Sequence, residues 1–347
     1  MTAVQIENPR NGRSTFINEV SPSMYEIVAR GGPDAVDPAI SVIVPAFNRA
    51  KLLAHTIDAL FHQDLNDSRY EVIVVDNASE DRTTNVLAEK ASASNIPFTG
   101  VHMRENRGPA VSRNVGVSLA RGEIIAFTDS DCVPTPQWLR SAAEAMSDAV
   151  GVVQGRTRAN PEQRQPLFNH FIDTRRFDGS FSTSNVCYRR EAIIDAGGFD
   201  PGCKYWEDVD LGWRVRHRGW QAIFAAEAVV HHQVIQLSPM QWLKHATNFS
   251  NWPAKAARYP EFRRHLFAGL WTDKWNAAFQ AALVGAFLGI RWRPFLLLTL
   301  PYLASFPSRG RLSGRWPALR ATASITRDLV SFSALVAGSI RHRSPVL

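Results

Sequence analysis

The chain of 347 residues has three cysteines, Cys132, Cys187 and Cys203, with no Cys-x-x-Cys pair among them. That excludes a disulfide framework and a cysteine-based structural zinc site, and suits a reducing compartment. No Gly-x-Gly-x-x-Gly follows the first strand-like run, and no Gly-x-x-x-x-Gly-Lys-Ser/Thr occurs anywhere, so the dinucleotide and P-loop fingerprints are missing. The ten histidines include no His-x-x-x-His. The first 37 residues are polar and lack the apolar stretch of a secretory signal. Acidic residues are scarce at the far end: residues 241–347 hold 15 Lys and Arg against three Asp and Glu, a net of +12, whereas the first 240 residues carry a net of −5. A basic block points to nucleic acid or to an anionic membrane surface. Here it is interleaved with apolar runs at 277–290 and 294–306, which nucleic-acid binders seldom need.

What is present is a globular composition, 45% hydrophobic and 20% charged, enough to bury a core in one large domain with an appendage. SVIVPAF (41–47) and YEVIVVD (70–76) are β-branched runs of strand length, apolar nearly throughout, as in sheets buried on both faces. Between them, residues 49–63 place Leu52, Leu53, Thr56, Ile57 and Leu60 on one helical face. The pattern predicts strand, crossover helix and parallel strand. It repeats with a helix at 83–93, a strand at 97–103, a helix at 108–120 and a buried strand at 122–131. The first 130 residues therefore read as a doubly wound α/β half, with ligands expected outside the carboxyl ends of its strands.

The polar chemistry gathers at those ends: Pro45, Asn48 and Arg49 after the first strand, Asp76, Asn77, Ser79 and Asp81 after the second, and Asp129, Ser130 and Asp131 after a later one. An Asp closing a strand is often only a turn former or a helix cap. Three such clusters at successive strand ends describe a nucleotide site built from carboxylates.

The segments VPAFNR (44–49), EVIVVDNASED (71–81), ENRGPAVSRNVGVSLARGEIIAFTDSD (105–131), GGFD (197–200) and YWEDVDLGWR (205–214) resemble the ordered motifs of the family 2 glycosyltransferases, over roughly residues 39–232. The resemblance implies a GT-A type doubly wound mixed sheet flanked by helices. It also implies sugar transfer from a nucleoside diphosphate sugar donor to a hydroxyl, usually with inversion and a divalent metal, Mg²⁺ or Mn²⁺. By the same resemblance, Asp131 would ligate the metal, Asp129 would meet the ribose or the metal, and Asp76, Asn48 and Pro45 would line the nucleotide pocket. Arg113 would stand near the Asp-x-Asp or the phosphates, and Asp208 would be the base that takes the acceptor proton, beside Glu207. His232, at the end of FAAEAVVHHQV (224–234), would complete the metal site or contact the diphosphate. These residue types suit the chemistry: hard cations favour carboxylate oxygens, and an Asp-x-Asp on a strand sends its first and third side chains to one side of the pleat. Trp206 beside the acidic pair is placed to stack on a sugar face.

The chain thus divides into a polar extension (1–37), a GT-A domain (38–235) and a helical C-terminal region (236–347). Residues 240–257 read as one amphipathic helix. The two later apolar runs fall short of the roughly 20 residues of a membrane span. Trp271, Trp275, Trp292, Tyr302 and Trp316 border them, and Arg291, Arg293, Arg309, Arg311 and Arg315 flank them. That is the dress of a segment lying on or re-entering a membrane surface, and it points to a membrane-associating extension on the cytoplasmic face of the cell membrane. The acceptor would then be a lipid-linked glycan or an envelope polysaccharide precursor, with no nucleic acid as partner. The rivals are a sugar- or nucleotide-binding protein of the same fold without chemistry, and a soluble transferase whose tail is a dimer interface.

Overall fold

A computed structural model describes residues 16–33, 37–65, 69–203, 205–308 and 317–347. Arg309, Arg311, Arg315 and Trp316 lie outside the described residues, as do residues 1–15 and 34–36 of the polar N-terminal stretch. Two compact units are formed: one comprises residues up to Arg164 with Phe171–Val234, the other Gln165–His170 with Ile235–Leu347.

In the first unit the chain runs β1 (Tyr25–Gly31), β2 (Ile40–Ala46), α1 (Ala50–Phe61), β3 (Tyr70–Asp76), α2 (Thr83–Ser92), β4 (Phe98–Met103), α3 (Pro109–Leu119), β5 (Ile124–Phe127), β6 (Cys132–Pro134), α4 (Trp138–Glu144) and β7 (Val150–Ala159). After a short β8 (Asn169–His170), which belongs to the second unit, come β9 (Val186–Arg189), α5 (Arg190–Ala196), α6 (Glu207–His217) and β10 (Gln221–His232). Nine strands make one mixed sheet in the order β1-β4-β3-β2-β5-β9-β7-β10-β6. The block β4-β3-β2-β5 is parallel, β9 inserts antiparallel between β5 and β7, and β10 runs parallel to β7.

Burial explains the order. Every residue of β3 is buried, as a strand covered on both faces must be. Helix α1 turns Leu53, Thr56, Ile57 and Leu60 inward, the stripe its sequence spacing sets. Helix α3 approaches β2 so closely that a Cβ on Gly116 would stand 2.4 Å from Ile43 Cγ2. Any larger residue there forces overpacking, which costs about 1–3 kcal/mol. At the amino ends of β2 and β3, buried Glu71 accepts from Ser41 Oγ at 2.6 Å and from Arg121 Nη2 at 2.6 Å, so its charge is paired. The carboxyl ends are left for other work.

Three sequence expectations are corrected. Tyr25–Gly31, inside the stretch read as a polar extension, is the edge strand β1, paired antiparallel to β4. One face of an edge strand stays wet, and β1 shows no buried residue and no alternation for a pattern search to find. The strand expected at 122–131 stops at Phe127, and the backbone then turns, Cys132 N donating to Asp129 O at 3.0 Å. A turn rather than the pleat therefore orients Asp129 and Asp131. The helix expected over 240–257 is α7 (Pro239–Ala246) and α8 (Trp252–Arg258), joined by a 3₁₀ turn at Thr247–Asn251. Pro253 has no N–H to continue a helix and sits in the first turn of α8, where none is needed.

The second unit pairs β8 with β11 (Ile235–Gln236). After α7 and α8 it continues through α9 (Lys274–Gly289), a 3₁₀ segment at Arg293–Thr299, α10 (Leu300–Ser308) and α11 (Pro317–His342). A capping box of Ser238 and Gln241 starts α7, and Asp273 caps α9. Phe279, Ala282, Tyr302 and Phe306 form a small core. Much of the remaining apolar run faces out: Phe287 is 74% exposed, Ile290 86% and Leu297 65%. Among the described residues no helix is long and apolar enough to cross a membrane.

Candidate active site

Four parallel-strand ends and one helix start supply the site. The loop after β2 and the loop after β3 are tied together. Asn48, with φ of +50°, donates its backbone N–H to Ser79 Oγ at 2.8 Å, and its side-chain carbonyl accepts from Glu80 N at 2.9 Å. Asparagine tolerates this left-handed backbone better than most residues do. Asp81 accepts from Ala50 N, the first residue of α1, at 3.1 Å and from Thr83 N, the first of α2, at 2.9 Å. Although burial opposes it, bonds from Thr83 and Ala50 hold the Asp81 carboxyl below the usual range. Pro45 lies half-buried in β2 of the same corner.

Asp76, the last residue of β3, is fully buried. Its Oδ1 accepts from Ser79 N and from the Ser79 hydroxyl, and its Oδ2 lies 2.7 Å from His102 Nδ1. His102 sits on the neighbouring β4, opposite Asp76 in the strand register. Sequence reasoning passed over it, because a lone His in a strand carries no spacing signal. Only the register of β3 on β4 brings it to Asp76.

A second cluster centres on Arg113 of α3. Its guanidinium is buried and bridges two carboxylates, Nη2 to Asp129 Oδ1 at 3.1 Å and Nη1 to Glu207 Oε1 at 2.9 Å. Burial works against the guanidinium charge, but Asp129, Glu207 and then Asp208 outweigh it and raise its pKa. Glu207, 8% exposed, is thus a buried acid with a partner rather than a solvated helix start. Burial pushes the Asp129 carboxyl upward, and Asp131 adds to that push while Arg113 and His232 oppose it. Asp208 is half-buried in the first turn of α6, its Oδ1 accepting from Val209 N at 2.7 Å. Trp206 is the half-buried N-cap residue of that helix, and the exposed Tyr205 before it carries a φ of +68°. Bulky side chains rarely adopt that backbone.

The third cluster joins Asp131 to the end of β10. His232 is 3% exposed and its Nδ1 stands 2.7 Å from Gln233 O, a carbonyl that can only accept. Nδ1 therefore carries a proton, and Nε2 lies 3.6 Å from Asp131 Oδ1, too far for a hydrogen bond. A carboxylate oxygen and an imidazole nitrogen at this spacing can hold a cation between them. Cys132 Sγ completes a group with Asp131 and His232 whose ligand atoms lie within 4.8 Å of one another. Burial, then the charges of Asp129 and Asp131, push that thiol well above the usual range, while Asp131 and His232 offer a carboxylate oxygen and an imidazole nitrogen. Such a pair fits a hard or borderline divalent ion. Arg49 Nη1 reaches Asp131 Oδ2 at 3.4 Å. Of the three residues expected at a metal, Asp131 and His232 come together, whereas Asp129 turns to Arg113. His231, the other way along β10, is half-buried, and burial followed by the charge of Arg158 lowers its pKa.

The profile of Glycosyl transferase family 2 matches residues 41–199, and that of Glycosyl transferase family group 2 matches residues 124–308. The chain is similar to glycosyltransferase AglE of Haloferax volcanii, 28% identical over 205 residues, covering 56% of this chain and 67% of that protein. It is likewise 28% identical over 277 residues to the pre-mycofactocin glycosyltransferase of Mycobacterium tuberculosis, covering 72% of this chain and 53% of the relative. The chain thus spans about half the length of the second relative. Among solved structures, the mannosyltransferase PcManGT from Pyrobaculum calidifontis, in complex with GDP-Man and Mn²⁺, superposes with a TM-score of 0.58 at 23% identity, covering 90% of this chain and 89% of its own. TarS of S. aureus in complex with UDP-GlcNAc gives a TM-score of 0.51 at 19% identity, covering 88% and 92%. At these identities the likeness is one of fold.

Proposed function

The chain belongs to the family 2 glycosyltransferases, and on that premise we propose that it moves a sugar from a nucleoside diphosphate sugar to an acceptor hydroxyl, with inversion at the anomeric carbon and with a divalent metal. The observation that carries this reading is the linked set Asp131–His232 and Asp129–Arg113–Glu207, gathered where β5, α3, α6 and β10 meet at the carboxyl side of the parallel strands. Asp131 and His232 would hold the ion. When bound, Mg²⁺ or Mn²⁺ supplies Lewis-acid stabilisation of the charge that builds on the departing diphosphate. Asp76, with Asn48 and Pro45, forms the nucleotide end of the site. Its buried carboxylate is fixed by Ser79 and His102 and so holds in place the loop after β3 that a base would meet.

Asp208 takes the proton from the acceptor hydroxyl, a role that asks for an ionised carboxylate, the ordinary state of an Asp at neutral pH. Arg113 holds Glu207 next to it and so sets the start of α6 against Asp129. Trp206 offers the acceptor sugar a flat face. The acceptor is a lipid-linked glycan or another envelope polysaccharide precursor, met on the cytoplasmic face of the cell membrane. Support for that comes from the second unit, whose α9–α10 stretch exposes Leu283, Val284, Phe287, Ile290 and Leu296 beside Arg291 and Arg293. Apolar side chains flanked by cations suit an anionic leaflet.

The test is a screen of UDP- and GDP-sugars by release of the product nucleotide, with and without chelator. Metal-dependent release from one donor class is expected. A chain that binds nucleotide but releases none from any sugar donor, with any acceptor fraction added, would instead be a binding protein.

A further inference from the structure

The nucleotide corner is one continuous chain of hydrogen bonds. Asn48 N donates to Ser79 Oγ at 2.8 Å, the Ser79 hydroxyl donates to Asp76 Oδ1, and Asp76 Oδ2 lies 2.7 Å from His102 Nδ1. The loop after β4 closes the same corner: Asn77 Nδ2 donates to Asn106 Oδ1 at 2.9 Å, and Asn77 Oδ1 accepts from Arg107 N at 3.0 Å.

Within this chain the Asp76 carboxylate is saturated. Its Oδ1 accepts from Ser79 N at 3.1 Å and from the Ser79 hydroxyl, and its Oδ2 from His102 Nδ1 and from Thr84 Oγ1 at 3.4 Å. A carboxylate has about four lone-pair sites, and Asp76 is 0% exposed. A nucleobase could reach it only by displacing one of these donors. His102 is the next group outward, with a side chain 26% exposed. Because an ionised carboxylate only accepts, Nδ1 carries a hydrogen, and Nε2 of the neutral ring is a bare acceptor. Among the described residues no group hydrogen-bonds to Nε2. Glu26, opposite His102 on β1, is turned to Arg104 Nη2 at 3.8 Å.

We propose that His102, rather than Asp76, reads the nucleobase, with Nε2 accepting the ring N–H of uracil (N3) or guanine (N1). Cytosine and adenine carry a lone pair at the corresponding edge, so two acceptors would face each other and both would lose a partner. The donor class is thereby narrowed to sugars carried on a uracil or guanine nucleotide, an inference that rests on the donor reading above. Asp76 acts from behind, fixing the tautomer and the plane of the ring.

Calorimetric titration of the full chain with UDP, GDP, CDP and ADP tests it, in Mn²⁺ at pH 8, where an imidazole is ordinarily neutral. UDP or GDP should bind at least tenfold more tightly than CDP and ADP. Methylating the tighter ligand at the ring nitrogen, as 3-methyl-UDP or 1-methyl-GDP, should cost at least tenfold in the wild-type protein, a comparison that needs no variant to fold. His102→Ala should weaken the preferred nucleotide at least tenfold and leave CDP and ADP unchanged, erasing the preference, while His102→Gln, which keeps a side-chain acceptor, retains part of it. Equal affinity for all four nucleotides, tolerance of the methyl group, a preference that survives His102→Ala, or a loss in His102→Ala shared equally by all four would overturn the proposal and leave the donor reading standing. Failure of every nucleotide to bind the wild type would contradict the donor reading and the proposal with it.

Discussion

Arg113 Nη1 donates to Glu207 Oε1 across 2.9 Å, joining α3 to the start of α6 over 94 positions of sequence. Their side chains are only 6% and 11% exposed, so Glu207 would be a buried unpaired charge without Arg113, and Asp129 would lose its partner with it. Removing one partner of such a pair costs about 3–5 kcal/mol. Arg113→Ala should therefore lower stability on that scale and abolish transfer, whereas Arg113→Lys, unable to bridge two carboxylates in a planar fork, should keep the fold and lose most activity. Denaturant unfolding and nucleotide release check the two effects separately.

At the proposed metal site, Asp131→Asn keeps the volume and removes the charge, and His232→Ala removes the nitrogen donor. Both should weaken Mn²⁺ binding, read by the electron paramagnetic resonance of free Mn²⁺, while nucleotide binding without metal changes little. Equal Mn²⁺ affinity in wild type and Asp131→Asn would remove Asp131 from the ligand set.

The three thiols give an inexpensive check of the fold. Cys132, Cys187 and Cys203 are each less than 5% exposed, and burial drives the Cys187 thiol up to about 12. Thiolate is the reactive form. A disulfide reagent at neutral pH should therefore modify none of them in the native protein and all three in denaturant.

Much of this was legible in the sequence, and the rest was not for physical reasons. The buried strands β2 and β3 and the stripe on α1 declare themselves because two-sided burial and a 3.6-residue period leave a mark on composition. Strand β1 leaves none, since an edge strand buries too little to impose a pattern. The strand-end carboxylates could be read one by one, but their partners could not. His102 meets Asp76 only through strand register, and Arg113 meets Glu207 only because the fold brings the start of α6 within reach of α3. Arg113 sits in a helix whose N-terminal half could as well have faced solvent. The turn that follows Phe127 separates the tasks of Asp129 and Asp131, which an extended strand would have held on one side.

Through its second unit the full chain should sediment with anionic vesicles. High salt should reduce binding without abolishing it, since screening removes attraction between charges but not insertion of Phe287, Ile290 and their neighbours. No binding at any salt would mean that the exposed apolar surface serves another partner, such as a second copy of the chain.

If Asp208 takes the acceptor proton, Asp208→Asn should separate turnover from donor affinity: kcat should fall by about 10² or more, in line with the usual contribution of a general base, with donor Kd unchanged by calorimetry. Turnover within a few-fold of wild type, or collapse of donor binding, would show that Asp208 is not the base.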